Sequence, residues 1–395
     1  MSDEGKIKII LHRGSIQIGG ICTEISTDNT RLLFDFGAPL EGEGNQELLD
    51  IDGVTFGKKN CDGIFLTHYH GDHANEIQRV LADIPVYMHK TATQILSAQL
   101  KHKEIFGEFD WTESFEELED RQIVIFEDLT VTALHTDHSA CASLMYLIEG
   151  YEKRILLTGD YRLHGFYKEQ LEKSFRELGH IDLMITEGTT LTRNADKNYD
   201  EQWAEAQFRK TFEEYKYVFL MAASSNTDRI AAFSRSVPNG KYMLTDEYQK
   251  QILKIADTEA PPALKSHKVC YLGNNLLRKM ERFGFGMAVR ANPRFMPIVK
   301  YYFEKYPEKT ILIYSMWSGY RDYPNIKQML DLCSNERTVH VSGHITKEDL
   351  EHVIEVVKPQ KLIVHHTSAE DNCCYNLDIQ DGLLLPSKDG KVICI

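Results

Sequence analysis

Leu66-Thr67-His68-Tyr69-His70-Gly71-Asp72-His73 places three imidazoles and a carboxylate within six residues, directly after the apolar, strand-like run Gly63-Ile64-Phe65. Neutral imidazole nitrogens and carboxylate oxygens are the ligands that zinc, manganese and iron accept, and a site with an open coordination position carries out hydrolysis. The spacing suggests two subsites. On the short turn after residues 63–67, His68 and His70 can point one way, while Asp72 and His73 open the next helix and point another. One segment can then feed two metals about 3.5–4 Å apart. A polar helix-capping loop is the simpler explanation, with Asp72 as the cap. Capping needs only one residue, however, and four ligand side chains at this spacing are rarely accidental.

The His-x-His-x-Asp-His pattern resembles the signature of the metallo-β-lactamase-fold hydrolases, and the other ligand positions of that family have candidates in the same order. Arg31-Leu32-Leu33-Phe34-Asp35-Phe36-Gly37 reads as a buried strand ending in Asp35, whose expected role is to orient a ligand imidazole. Leu134-His135-Thr136-Asp137-His138-Ser139 follows a strand-like run; the resemblance makes His138 the third histidine, with His135 as its competitor. Arg154-Ile155-Leu156-Leu157-Thr158-Gly159-Asp160 ends in the carboxylate expected to bridge both metals, although alone it would read as a strand and turn.

Three later motifs resemble those of the β-CASP branch, nucleases that carry an inserted domain within this fold. Asp182-Leu183-Met184-Ile185-Thr186-Glu187 ends in an acid that simple lactamases do not need. Val339-His340-Val341-Ser342-Gly343-His344 precedes a helix and, in the family, approaches the scissile phosphate. Leu362-Ile363-Val364-His365-His366 supplies the last ligand; spacing favours His366 over His365, and a histidine there tilts the family reading toward RNA rather than DNA.

The resemblance implies a four-layer αββα sandwich with an inserted doubly wound α/β domain, divided as 1–195, 196–335 and 336–395. It implies two divalent cations, zinc with manganese as the alternative. One would take His68, His70, His138 and Asp160; the other Asp72, His73, Asp160 and His366. The expected activity is two-metal phosphodiester hydrolysis of single-stranded RNA, exonucleolytic from the 5′ end, endonucleolytic, or both. His344 would donate to a phosphate oxygen, and Glu187 would orient His344 or His366. The alternatives are a DNA nuclease, a small-molecule metallohydrolase and a catalytically silent RNA-processing subunit.

Pattern changes place helices at residues 73–82 and 90–102 in the first part. The insert reads as alternating strand and helix, with helices at 202–216, 227–237 and 292–306. A helix at 347–357 and a closing Asp389-Gly390 hairpin follow. Within the insert, Ser224, Ser225, Asn226 and Arg229 lie where a strand runs into a helix. They are candidates for holding a phosphate, with an ordinary helix cap as the competing explanation. Trp317, on the loop after another buried strand, is a candidate base contact.

At 395 residues, one large or two intertwined domains are expected. No apolar run approaches the ~18 residues of a membrane span, and the polar start Met1-Ser2-Asp3-Glu4 is not a signal peptide. A cytoplasmic protein is expected. Its eight scattered cysteines lack a Cys-x-x-Cys pair and read as free thiols. No C-terminal domain of the ribonuclease J kind is evident, which puts dimerisation and an extended grip on RNA in doubt and keeps a homodimer only as an alternative.

A net charge of −14 is awkward for binding a polyanion, so its distribution matters. Glu113, Glu116, Glu117, Glu119 and Asp120 cluster in an acidic stretch expected to face away from substrate. Residues 276–309 carry Arg278, Lys279, Arg282, Arg290, Arg294, Lys300, Lys305 and Lys309. The interleaved Phe283, Phe285, Phe295, Tyr301 and Tyr302 could stack on bases, although aromatics at such spacing are more often core.

Overall fold

A computed structural model of the chain describes residues 5–42, 44–103, 111–192, 199–368 and 377–395. It forms two compact units, one made of residues 1–163, 167–195 and 343–395, the other of 164–166 and 196–342.

The first unit begins with β1 (Lys8–Arg13), β2 (Cys22–Ser26), β3 (Arg31–Phe34), β4 (Gly63–Phe65), α1 (Gly71–Ala74), β5 (Val86–His89), α2 (Lys90–His102) and β6 (Glu116–Leu118). It continues through β7 (Ile123–Ile125), β8 (Thr130–His135), β9 (Leu144–Gly150), β10 (Lys153–Leu157), α3 (Lys168–Glu177) and β11 (Leu183–Glu187). After the insert come α10 (Lys347–Val357), β18 (Lys361–His365) and β19 (Val392–Cys394). The strands make two sheets, ordered β19-β1-β2-β3-β4-β5-β6 and β18-β11-β10-β9-β8-β7. Alternation in β1, where Ile9 and Leu11 are buried between half-exposed neighbours, gives the first sheet an inward face. That face packs Ile9, Leu11, Ile25, Phe34 and Phe65 against Val131, Tyr146, Ile148 and Leu157 of the second sheet. The second sheet's outer face is covered by Leu171 and Phe175 of α3 and by Leu350, Val353 and Val357 of α10.

The insert runs α4 (Glu201–Glu214), β12 (Tyr217–Met221), α5 (Thr227–Ser236), β13 (Met243–Thr245), α6 (Glu247–Glu259), β14 (Val269–Tyr271) and α7 (Asn274–Phe283). It closes with β15 (Phe285–Val289), α8 (Met296–Lys305), β16 (Thr310–Tyr314), α9 (Pro324–Leu330) and β17 (Glu336–Thr338). Its parallel sheet has the order β14-β13-β15-β12-β16-β17. Central strands such as Tyr-Val-Phe-Leu-Met of β12 are buried throughout, because helices cover both faces. Phe208, Phe212 and Phe233 pack on one face; Phe219, Val299, Tyr302 and Phe303 pack on the other.

Several expectations need correction. The helix foreseen at 73–82 stops after Ala74 and resumes only as a short turn at Ile77–Arg79. Neighbouring loops take the carbonyls that would propagate it: Ile21 N–H donates to Asp72 O and Phe36 N–H to His73 O, while Glu76 N–H turns to Phe36 O. The α8 helix begins at Met296 rather than residue 292, because Asn292 Oδ1 caps the turn by accepting from Arg294 N. Asp389-Gly390 makes a turn, not a hairpin, for β19 pairs antiparallel with β1 at the far end of the chain. The insert extends past residue 335: β17 pairs with β16, and Val339 and Val341 belong to the insert's core. Phe285, Phe295 and Tyr302 are core residues, so among the aromatics offered for stacking only Phe283 and Tyr301 are exposed. Cys373 and Cys374 lie outside the described residues.

Candidate metal centre

The convergent side chains stand on loops at one end of the first unit's strands. Asp35 follows β3; His68, His70, Asp72 and His73 follow β4; His138 follows β8; Asp160 follows β10; Glu187 ends β11; His366 follows β18. The loop after β4 is gripped on its inner side. At Gly37 an added Cβ would stand 1.7 Å from Asp72 O, so only glycine admits the approach of these two backbones.

Asp35 adopts a left-handed φ of 60°, a conformation that Asp tolerates better than most residues. There its Oδ1 accepts from Thr67 N (2.7 Å) and its Oδ2 from His73 Nδ1 (2.7 Å). Thr67 Oγ1, itself donating to Asp35, lies 2.9 Å from His68 Nδ1. His138 Nδ1 donates to Gly343 O at 2.6 Å, and His366 Nδ1 meets Thr189 Oγ1 at 2.7 Å. Each contact holds a proton on Nδ1 and turns Nε2 toward the other converging side chains. The sequence patterns give no role to Thr67, Thr189 or the Gly343 carbonyl. Thr67 at least adjoins the histidine motif; nothing local marks the other two.

At this site, four groups of ligand atoms each lie within 4.8 Å of one another: His68, His70 and His138; His68, His73 and Asp160; Asp72, His73 and His366; and His138, Asp160 and His344. Asp160 is the shared anion. Its Oδ2 lies 3.2 Å from His73 Nε2 and 3.9 Å from the Nε2 atoms of His68 and His138, and its Oδ1 is 3.9 Å from His366 Nε2. Asp72 Oδ2 is 3.3 Å from His366 Nε2, and His70 Nδ1 is 3.2 Å from His138 Nε2. His68 Nε2 is buried and makes no hydrogen bond. A buried lone pair facing other lone pairs is costly unless a cation fills the space, so these residues fit a pair of divalent metals.

The electrostatics agree. Burial, with the neighbouring imidazoles, holds His68 well below its usual pKa; burial also depresses His138 well below and His70 to about 4. These three are therefore neutral and ligand-ready. Burial opposes charge on His73 as well, but Asp160, Asp35 and Asp72 outweigh it and raise His73 well above its usual value. Burial alone would raise Asp160, yet His366, His73 and His344 hold it well below the carboxylate range.

His344 sits at the rim of this cluster. Its Nδ1 is 3.0 Å from Glu187 Oε2 and 3.5 Å from Asp160 Oδ2. Burial works against its charge, but Glu187 and Asp160 prevail and raise its pKa to about 9. Glu187 is fully buried, and its Oε1 accepts from Tyr161 N at 2.9 Å. Glu187 thus pairs with His344, whereas His366 takes Thr189. Neither His135 nor His365 joins the four groups: the His135 ring lies 4.9 Å from His89, and buried His365 ends β18.

The phosphate candidates in the insert fare differently. Arg229 is fully buried; its Nε and Nη2 donate to both carboxylate oxygens of Glu201 (2.8 and 2.7 Å), and its Nη1 donates to Ser315 Oγ. It is a structural cation and cannot reach a ligand. Asn226 caps α5, its Oδ1 accepting from Arg229 N at 3.2 Å. Ser224 and Ser225 are half-buried.

A profile of the beta-lactamase superfamily domain matches residues 51–210. The chain is 23% identical over 199 residues to the probable RNase MJ4 of Methanocaldococcus jannaschii, covering 46% of this chain and 45% of that one. It is 28% identical over 148 residues to ribonuclease J 2 of Staphylococcus aureus, covering 35% and 26%. The chain thus spans less than half the length of these curated relatives. In a crystal structure, a protein of unknown function from Enterococcus faecalis V583 has the same fold, with a TM-score of 0.77 at 19% identity over 99% of this chain and 100% of that one. The fold is thus a metallo-β-lactamase sandwich carrying an inserted doubly wound domain, and the chain resembles the β-CASP, ribonuclease J-like proteins that it matches in part.

Proposed function

We propose that the chain is a metal-dependent phosphodiester hydrolase acting on single-stranded RNA. The observation that carries this reading is the sharing of Asp160 between two sets of imidazoles whose lone pairs converge in a buried space. His68, His70, His138 and Asp160 would hold one divalent cation, and Asp72, His73, His366 and Asp160 a second, zinc or manganese. When bound, such a pair lowers the pKa of water toward neutrality and screens phosphate charge. The chain's own residues orient and donate. Asp35 and Thr67 keep His73 and His68 in the ligating tautomer. His344, protonated beside Glu187, supplies a proton or hydrogen bond to a phosphate oxygen as negative charge develops there.

RNA is favoured because two curated relatives are named ribonucleases and because a histidine stands at position 366. Ser224 and Ser225 remain candidates for a neighbouring phosphate. The test is degradation of a 5′-monophosphorylated single-stranded RNA beside the same-sequence DNA, with zinc or manganese supplied and an Asp72→Ala protein as control. RNA loss that requires Asp72 supports a ribonuclease, and its product ladder separates 5′ trimming from internal cuts. DNA loss alone points to a DNA nuclease. Cleavage of neither substrate overturns the nuclease reading.

A further inference from the structure

Asp137 and Arg162 touch no candidate ligand space, yet each adjoins a loop that carries a ligand. Asp137 precedes His138, and Arg162 follows Asp160 by two residues. Both side chains are completely buried, with Arg162 Nε donating to Asp137 Oδ1 at 2.9 Å. The backbones join as well: Arg162 N donates to Asp137 O at 2.8 Å. Asp137 Oδ2 accepts from Tyr167 N, the residue that caps α3, at 2.7 Å. The two loops leave β8 and β10, which are not neighbours because β9 lies between them. No direct pairing of β8 with β10 therefore joins the loops that carry His138 and Asp160.

We propose that the buried Asp137–Arg162 pair is a positioning clasp that sets the three-histidine subsite against the shared Asp160. The inference rests on the metal reading above and adds an asymmetry to it. Of the two proposed subsites, His138 serves the one with His68 and His70, on the side where Asp160 and His344 also lie, while Asp72, His73 and His366 are held by Asp35, Thr189 and the loop after β4. Loosening the clasp weakens the three-histidine subsite first. A pair serving fold stability alone would weaken both subsites together.

The experiment is zinc titration against a chromogenic chelator, with no RNA present. The wild-type chain binds two zinc ions. Asp137→Asn keeps the shape and the Tyr167 contact but loses the charge. It should keep one tight site and bind the second about 10–100-fold more weakly, as loss of an outer partner typically does. Adding His70→Ala to Asp137→Asn should leave the tight site; adding His366→Ala should abolish it. Two affinities within twofold of wild type overturn the clasp, and so does an equal loss at both sites. Should Asp137→Asn fail to fold by circular dichroism, Arg162→Lys, which retains the buried cation, is titrated under the same criteria. A wild-type chain that binds no zinc overturns the metal reading and the clasp together. A chain that binds zinc asymmetrically but cleaves nothing leaves the clasp standing and removes only the nuclease.

Discussion

His344 and the candidate ligand histidines differ in what holds them. His73, His68, His366 and His138 direct Nδ1 at Asp35, Thr67, Thr189 and the Gly343 carbonyl, whereas His344 Nδ1 rests on a buried carboxylate that keeps the ring cationic. His344→Ala should lower kcat by about 10²–10³-fold, the usual loss when one donor to a developing oxyanion goes, with zinc content unchanged. Loss of zinc measured by elemental analysis would instead make His344 a ligand. At this scale spacing singles out His366 over His365, and His366 reaches the cluster because the backbone turns left-handed after β18, with φ 53° at His366. Arg229 was illegible, since its partner Glu201 lies 28 residues away and no local pattern announces a buried ion pair.

Between strands, a second group of charges ties the first sheet together. His12 of β1 and Arg31 of β3 both reach Glu24 of β2, at 2.9 and 2.8 Å. Burial raises the Glu24 pKa, but His12 and Arg31 outweigh it and lower it from 4.5 to about 2. A carboxylate depressed in the folded state stabilises above its unfolded pKa and loses that contribution as pH falls through the folded one. Urea melts of Glu24→Gln should therefore show a loss of about 1–3 kcal/mol at pH 7, below the full linkage value because the partners are partly solvated. The gap from wild type should close between pH 4.5 and about 2; a gap constant to acid pH would assign the loss to packing. The loop after β4 gives a second test, since an added Cβ at Gly37 would collide with the backbone of Asp72 and His73. Gly37→Ala should cost about 1–3 kcal/mol in the same melts, the range for forced overpacking, and weaken zinc binding with it. Long periodic elements such as α2 and α10 follow from their sequences, residue for residue. The short helix after His70 does not, because its length is decided by donors from residues 21 and 36 that local periodicity cannot register.

Across the whole chain, the start of the insert is legible as a change from short strands and turns to alternating strand and helix. Its end is not, because Glu336-Arg337-Thr338 carries no apolar signature and becomes a strand only by pairing with β16. Charge follows the same logic. The chain's net charge is −14, and several cations of the basic stretch and its surroundings are already paired: Arg290 and Arg294 with Asp246, Lys305 with Glu281, Arg321 with Glu336.

The division into units has a thermodynamic consequence, because His68, His70, Asp72, His73, His138, Asp160, His344 and His366 all fall in the first unit. A ligand that binds only the folded state adds RT ln(1 + [L]/Kd), about 2.7 kcal/mol at one hundred times Kd, and that energy attaches to the cooperative unit containing the site. Saturating zinc should therefore slow amide hydrogen exchange in β4, β8, β10 and β18 by about a hundredfold, and chelation should reverse it. Strands β12, β15 and β16, whose core is formed by the insert's own helices, should exchange at the same rate with and without zinc. Equal slowing in both sets of strands would mean that the two units unfold as one and that the energy of a bound metal is spread over the whole chain. Slowing confined to the first unit would make metal loading a local control on the lactamase-fold half alone.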